Sequence, residues 1–386
     1  VRVWDAQSGA LSRTYAGHTA AVYNAATSPD GSQLASAGVD GTVKIWTTAP
    51  VGELLAFSLG PGAGGWGIDY SPGGQQVAIG DMLGPASVWD PVTAERLFSL
   101  PEVDEGAGTY GVAYSPDGAQ LAVGTGTGPV QIWDTASQEL VRTLSGHVGI
   151  VPGMGFSPDG KRLATAGFDG MAAVWDLASG QATILTQEEP FIWSIAFSPD
   201  GSRVATAAPM NEAVAEEIGV FEWDAATGKE LRMFPIDTVA VYSVAYSPDG
   251  GLLAAGIQEG NTLIWDTASG ELVRTLTGHT GLVIGLAFGP DGKRLASASM
   301  DNTAKVWDVA TGQELATLYG QTGLPAGIAY SPDGTRIATA AADGTIRTYV
   351  VDTGELVALA RSRVTRSLTT AECQKYLHVD ECPERP

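Results

Sequence analysis

A tryptophan recurs at Trp46, Trp89, Trp133, Trp175, Trp223, Trp265 and Trp307, with Tyr349 in the eighth place, and this spacing restricts the fold more than any other feature. Most intervals are 42 to 44 residues, and the one ending at Trp223 is 48. A turn proline keeps the same rhythm at Pro29, Pro72, Pro116, Pro158, Pro199, Pro248, Pro290 and Pro332. One unit shows what is repeated. Val283 to Phe288 is an apolar run, and Gly289-Pro290-Asp291-Gly292 is a turn in which Pro fixes φ and Gly supplies φ > 0. Arg294 to Ala298, Thr303 to Trp307 and Glu314 to Leu318 read as three further short strands. Four such strands make a small twisted sheet that cannot bury both faces alone, so it must stack against copies of itself.

With a Gly-His start and a Trp-Asp end, a repeat of this length resembles the WD-repeat family of β-propellers. The motif is clear in the repeats beginning Gly17-His18, Gly146-His147 and Gly278-His279 and degenerate in the others, and the resemblance covers roughly residues 1 to 360. It implies an all-β propeller. Counting prolines from His18 to residue 360 gives eight four-stranded units, so an eight-bladed ring is expected, with a seven-bladed ring starting near Gly60 as the alternative. Residues 1–17 read as a half-blade left from an upstream repeat, so the chain reads as a fragment with further domains before it. In the tail, residues 361–386, Thr369-Thr370-Ala371-Glu372 has capping-box spacing and predicts a short helix. That tail resembles the C-terminal extension of bacterial multidomain WD-repeat signalling proteins, of the signal-transducing ATPase, kinase or regulator type.

Charge narrows the partners. The chain carries a formal net charge of −22, and its acidity belongs to the repeats and not to the tail. Such a surface argues against nucleic acid, because phosphate binding needs Lys and Arg. It serves solubility or offers a docking face to a basic partner. No apolar run approaches the ~20 residues that span a bilayer. Cys373 and Cys382 are nine positions apart and either form a bridge, as an extracellular protein would favour, or, with no export signal, stay reduced thiols of a cytoplasmic protein, the reading taken here.

Several residue types could be mistaken for chemistry. His18, Ser36 and Asp40, then His147, Thr165 and Asp169, then His279, Ser297 and Asp301 recur in phase. A hydrolase triad uses the same types but occurs once, whereas this set repeats and continues into Trp46, Trp175 and Trp307. The resemblance implies a structural hydrogen-bond network inside each blade. Neither a phosphate loop nor a zinc- or calcium-type spacing is present, so no cofactor and no metal is expected. An enzyme with its active site in the central funnel is the competing reading. It needs inward ionisable groups, yet Gly67, Gly111, Gly153, Ser194, Ser243, Gly285 and Gly327 dominate the innermost strands, and Asp69 is the exception.

A binding signal lies five positions before the residue that opens each proline turn. There stand Tyr23, Trp66, Tyr110, Pro152, Trp193, Tyr242, Ile284 and Ala326. In the family this place lies at the rim of the central channel, so the resemblance implies that Tyr23, Trp66, Tyr110, Trp193 and Tyr242 face a protein or peptide partner. Packing between blades is the alternative use of the same side chains. The expected function is therefore a non-catalytic interaction or sensing platform, with a structural spacer as the remaining possibility.

Overall fold

The structure, a computed structural model, describes residues 2–4, 11–14, 22–27, 33–38, 43–47, 53–59, 64–102, 106–186, 191–207, 219–236, 240–318 and 325–351, with backbone alone for the strands before 59 and for 325–326. The predicted tail helix and Cys373 and Cys382 lie outside these residues, as does 209–217, the extra stretch with Glu212, Glu216 and Glu217 that lengthens the interval ending at Trp223. All described elements are β-strands. In the unit read above the strands run Val283–Phe288, Arg294–Ser299, Thr303–Asp308 and Glu314–Leu318, within one residue of the sequence reading.

The ring has seven blades, not the eight that counting prolines favours. Strand β1 (Arg2–Trp4) pairs only with β2 (Leu11–Thr14), and β3 (Val22–Thr27), β4 (Gln33–Gly38) and β5 (Val43–Thr47) form a three-stranded sheet of their own. The fourth strand of that first unit, β6 (Glu53–Ser58), goes elsewhere: it is the outer strand of the last blade. It lies antiparallel to Thr345–Val350, with Phe57 opposite Ile346 and Leu55 opposite Thr348. Blade 1 follows as β7 (Gly65–Tyr70), β8 (Val77–Asp81), β9 (Gly84–Trp89) and β10 (Arg96–Ser99). Blades 2 to 6 repeat this order at 109–144, 153–186, 194–235, 241–276 and 283–318, and blade 7 is 325–350 completed by β6.

Seven hydrophobic clusters fill the seven gaps between neighbouring blades, including the gap that joins blade 7 to blade 1. There Ile68, Tyr70, Val77, Ile79 and Trp89 meet Ala329, Ala338, Ala340 and Ile346. The second and third strands of a blade are covered on both faces, so they read as unbroken apolar and small residues, as in Leu121-Ala122-Val123. The outer strand is half exposed.

Two features draw the blades together. At the centre the inner strands approach so closely that a Cβ on Gly67 would stand 2.4 Å from the Tyr110 carbonyl oxygen. On the rim each proline turn leans on the next. Gly118 has φ +73°, a conformation glycine adopts without strain, and its missing side chain leaves room for Pro72 of the preceding blade, 3.4 Å from where a Cβ would be. The same Gly–Pro contact recurs at Gly160–Pro116, Gly201–Pro158, Gly250–Pro199, Gly292–Pro248, Gly334–Pro290 and, across the seam, Gly74–Pro332. The Ser-Pro-Asp-Gly repeat thus sets the spacing between blades as well as the turn within each.

Candidate functional site at the channel mouth

At one end of the ring, the connections between blades bond to the turns between second and third strands. Phe168 N donates to Ile150 O at 2.8 Å, Met300 N to Leu282 O at 2.9 Å and Met82 N to Gly64 O at 2.8 Å. The beginnings of the inner strands open at this end, and the aromatic residues gather there. Trp66 of blade 1 stacks on Trp193 of blade 4, with centroids 6.1 Å apart and planes 22° from parallel. Because blades 1 and 4 lie on opposite sides of the ring, this pair spans the channel mouth. Tyr110 meets the edge of Trp66 at 5.7 Å, and Tyr242 meets Trp193 at 5.2 Å.

Two further rings join them. Phe168 lies 4.6 Å from Trp193, and Phe191 lies 5.5 Å from Phe168. The sequence argument missed both because it compared one position per repeat. The available signal was local: Phe168 is a large apolar residue in a Gly-Phe-Asp-Gly turn, where solvent exposure normally favours polar residues. Phe191 is 48% exposed, and Trp66, Tyr110, Trp193 and Tyr242 are half-buried. None of these rings belongs to the seven inter-blade cores. Tyr23 lies on β3, outside the ring, and its side chain is outside the described residues. Ala326 is the second residue of the equivalent strand of blade 7 (Pro325–Tyr330), again with only its backbone described, while Pro152 and Ile284 hold the places in blades 3 and 6.

The aromatics border a channel cavity of about 250 Å³, below the ~300–1,000 Å³ of ordinary small-molecule sites. Among its lining residues only Tyr242 is titratable; burial raises its pKa, and nearby Glu259 adds to the shift. Ser194 Oγ accepts from Val244 N at 3.2 Å and Ser243 Oγ donates to Val283 O at 3.1 Å, so both hydroxyls tie adjacent blades. Asp69, the lone inner-strand carboxylate, turns away from the channel. Its Oδ2 accepts from Tyr114 N of blade 2 at 2.8 Å, and burial pushes its pKa up to about 7 against that bond.

The recurring His, Ser/Thr, Asp and Trp come together in blades 3 and 6. His147 Nδ1 is 3.0 Å from Asp169 Oδ1, its Nε2 is 2.8 Å from Thr165 Oγ1, and Trp175 Nε1 donates to that same hydroxyl at 2.8 Å. In blade 6, His279 stands 2.9 Å from Asp301 and 2.8 Å from Ser297, which also accepts from Trp307 Nε1 at 2.8 Å. Backbone amides of Val148 and Thr280 complete the two carboxylates. Each hydroxyl is held between a tryptophan and a histidine, both buried, which leaves no approach for a substrate carbonyl. The set His18, Ser36, Asp40 and Trp46 lies outside the described side chains. Other blades substitute: Trp89 donates to Ser87, Trp133 to Gln131 and Trp223 to Thr206. Among the described residues, no group of three or more His, Cys, Asp or Glu is placed to share a metal ion.

Asp301→Ala strands the buried His279 and the Thr280 amide, and a loss of about 1–3 kcal/mol in urea unfolding is expected, with Asp169→Ala alike. Burial raises the pKa of Asp301, but hydrogen bonds from His279 and Thr303 outweigh it and leave it below the ordinary value of 3.8. A carboxyl with a lowered folded pKa stabilises at pH above its unfolded value and ceases to as pH falls towards the folded one. The stability difference between wild type and Asp301→Asn therefore narrows below about pH 4.

The family model described as WD domain, G-beta repeat matches residues 9–47, 138–176, 181–209, 228–266, 270–308 and 312–349, more than half of the chain. The chain belongs to the WD-repeat family. The matched stretches leave out blade 1 and most of blade 2, whose starts have lost the Gly-His pair, yet both form complete four-stranded blades. No curated protein matches the chain. WD-repeat propellers generally act as scaffolds for protein interaction, and they bind proteins or peptides.

Proposed function

We propose that this WD-repeat protein is a non-catalytic interaction platform whose docking face is the aromatic mouth of the channel. The carrying observation is the Trp66–Trp193 stack with Tyr110, Tyr242 and Phe168 against it: rings from five blades form one half-buried group outside every structural core. Inner strands carry Trp66, Tyr110 and Tyr242, and backbone bonds from Trp193 N to Ala207 O and from Phe168 N to Ile150 O fix the other two, so a partner meets a preorganised surface at small ordering cost. The cavity walls lack paired acids, bases or nucleophiles, which speaks against an active site in the funnel. The resemblance of residues 361–386 to bacterial signalling proteins supports a finer reading, the sensing end of a larger cytoplasmic signalling chain with neither nucleic acid nor membrane as partner. A spacer role is disfavoured by so many rings clustered at one opening.

Trp193→Ala and Trp66→Ala test the platform. Truncating a true anchor costs about 2 kcal/mol or more of binding and little stability, whereas truncating a core aromatic costs roughly 3–5 kcal/mol of stability. Proteins captured from an extract by wild type and lost by both variants, at nearly unchanged melting temperature, are expected. Variants that melt much earlier yet bind normally when folded would place these rings in packing and remove the docking face.

A further inference from the structure

Deeper information comes from the distribution of charge around that mouth. Among the described residues, the turns and connections at this end contain Asp81, Glu102, Asp169, Glu259, Asp301 and Asp343 and not one Lys or Arg. Glu102, Glu259 and Asp343 are exposed. Every Lys and Arg between residues 64 and 351 falls on a strand or in a turn of the opposite end.

Many of those cations are also occupied. Arg162 donates to Gly201 O at 2.7 Å, Arg294 to Val351 O at 3.0 Å, and Lys305 Nζ to Glu314 at 2.8 Å. Arg203 and Arg232 both hold Glu222. The opposite end mixes signs, and most of its aspartates are tied into their own turns, as Asp117 is by Ser115 and Ala119. Among the described residues, the turns and connections of the aromatic end carry acids and no Lys or Arg.

Three observations then converge on one occupant. Aromatic faces attract a cation, and a guanidinium does this well because it is planar and weakly hydrated. The rim supplies only carboxylates, which complement a basic chain and repel acidic or phosphorylated ones. The cavity of about 250 Å³ fits one long side chain better than a cofactor, and it has no charged wall of its own. We infer that the mouth docks an arginine-bearing basic peptide segment, one guanidinium set against the Trp66, Trp193 and Tyr242 rings and the flanking cations facing the acidic rim. This rests on the mouth being the docking face.

The test uses the full chain and a fluorescent (Arg-Gly-Gly)₃ peptide, with (Glu-Gly-Gly)₃ as its opposite, followed by anisotropy at low and physiological salt. The basic peptide binds and the acidic one does not. Trp193→Ala weakens binding about 30-fold or more, the scale of a hot-spot anchor. Glu259→Gln, an exposed substitution with no folding burden, weakens it several-fold and flattens the salt dependence. Glu139→Gln with Glu271→Gln, both at the opposite end, leaves affinity within about two-fold, as expected for charges beyond a Debye length. Equal affinity in wild type, Trp193→Ala and Glu259→Gln would mean diffuse attraction to an acidic protein and overturn the inference. Selection from a random dodecapeptide library separates the two levels. Arginine-rich winners lost in Trp193→Ala support both readings; neutral or acidic winners lost in that variant sink the basic partner and keep the platform. Winners indifferent to Trp66→Ala and Trp193→Ala sink both.

Discussion

A chain of residues 50–386 is expected to unfold at the same urea concentration as the full sequence, and a chain of residues 60–386 at a far lower one. The ten residues between these two starts contain β6, which closes the ring. Five residue pairs register it against Thr345–Val350, from Ser58 opposite Thr345 to Glu53 opposite Tyr349. Leu59 N donates to Gly344 O at 2.9 Å, and Leu59 packs on the core that joins blades 7 and 1. At about 1 kcal/mol net per hydrogen bond, with apolar contact added, loss on the order of 5 kcal/mol follows. That is a large share of the ~5–15 kcal/mol by which folded domains are stable. The bare edge of Thr345–Val350 would also be open to pairing with another chain, so 60–386 should self-associate on sizing columns. Strands β1 to β5 pair only among themselves and supply no strand to any of the seven blades, so their removal leaves every blade of the ring complete. Equal stability of the two truncations would refute closure through β6.

The same strand shows what could be read from the sequence and what could not. Strand periods, turn chemistry and the Trp-Asp rhythm placed the four strands of the unit at 283–318 to within one residue, because each depends on a few neighbouring side chains. Blade number does not. Glu53–Ser58 follows Trp46 as an outer strand should, and nothing in its six residues says whether it pairs with its own unit or with one some 290 residues later. Closure is decided by how many wedge-shaped sheets fit around a circle, a property of the whole ring. The aromatic mouth was half legible. Phase-locked positions found Trp66, Tyr110, Trp193 and Tyr242, but Phe168 and Phe191 come from turns and connections that obey no repeat. The Gly–Pro contacts of the rim were invisible for a different reason: the proline turn reads as local, and its role between blades appears only when blades are side by side.

Glu222→Ala should be among the most damaging single substitutions, costing about 3–5 kcal/mol, the usual effect of breaking a buried charge network. The residue before each blade's tryptophan is apolar in Val88, Ile132, Val174, Ile264 and Val306, because this place on the third strand faces the next blade. Blade 4 puts Glu222 there, 1% exposed. Its burial is tolerated because it is fully partnered. Arg203 Nη1 lies 2.9 Å from Oε1, Arg232 Nε 2.7 Å from Oε2, and Tyr246 of blade 5 donates its hydroxyl to Oε1 at 2.7 Å. Arg232 also donates to the Thr267 carbonyl of blade 5, so the network fastens two blades. Removing the carboxylate alone leaves two guanidinium groups facing each other and a buried phenol hydroxyl without its acceptor. Replacing the whole set is another matter: apolar residues of matching volume often substitute for a buried ionic network at no loss. Glu222→Val combined with Arg203→Leu, Arg232→Leu and Tyr246→Phe should therefore recover most of the stability that Glu222→Ala loses. Chemical unfolding of the two variants beside wild type decides it. A mild Glu222→Ala would show that the network contributes little, and a quadruple variant worse than the single one would show that blades 4 and 5 depend on the charges themselves.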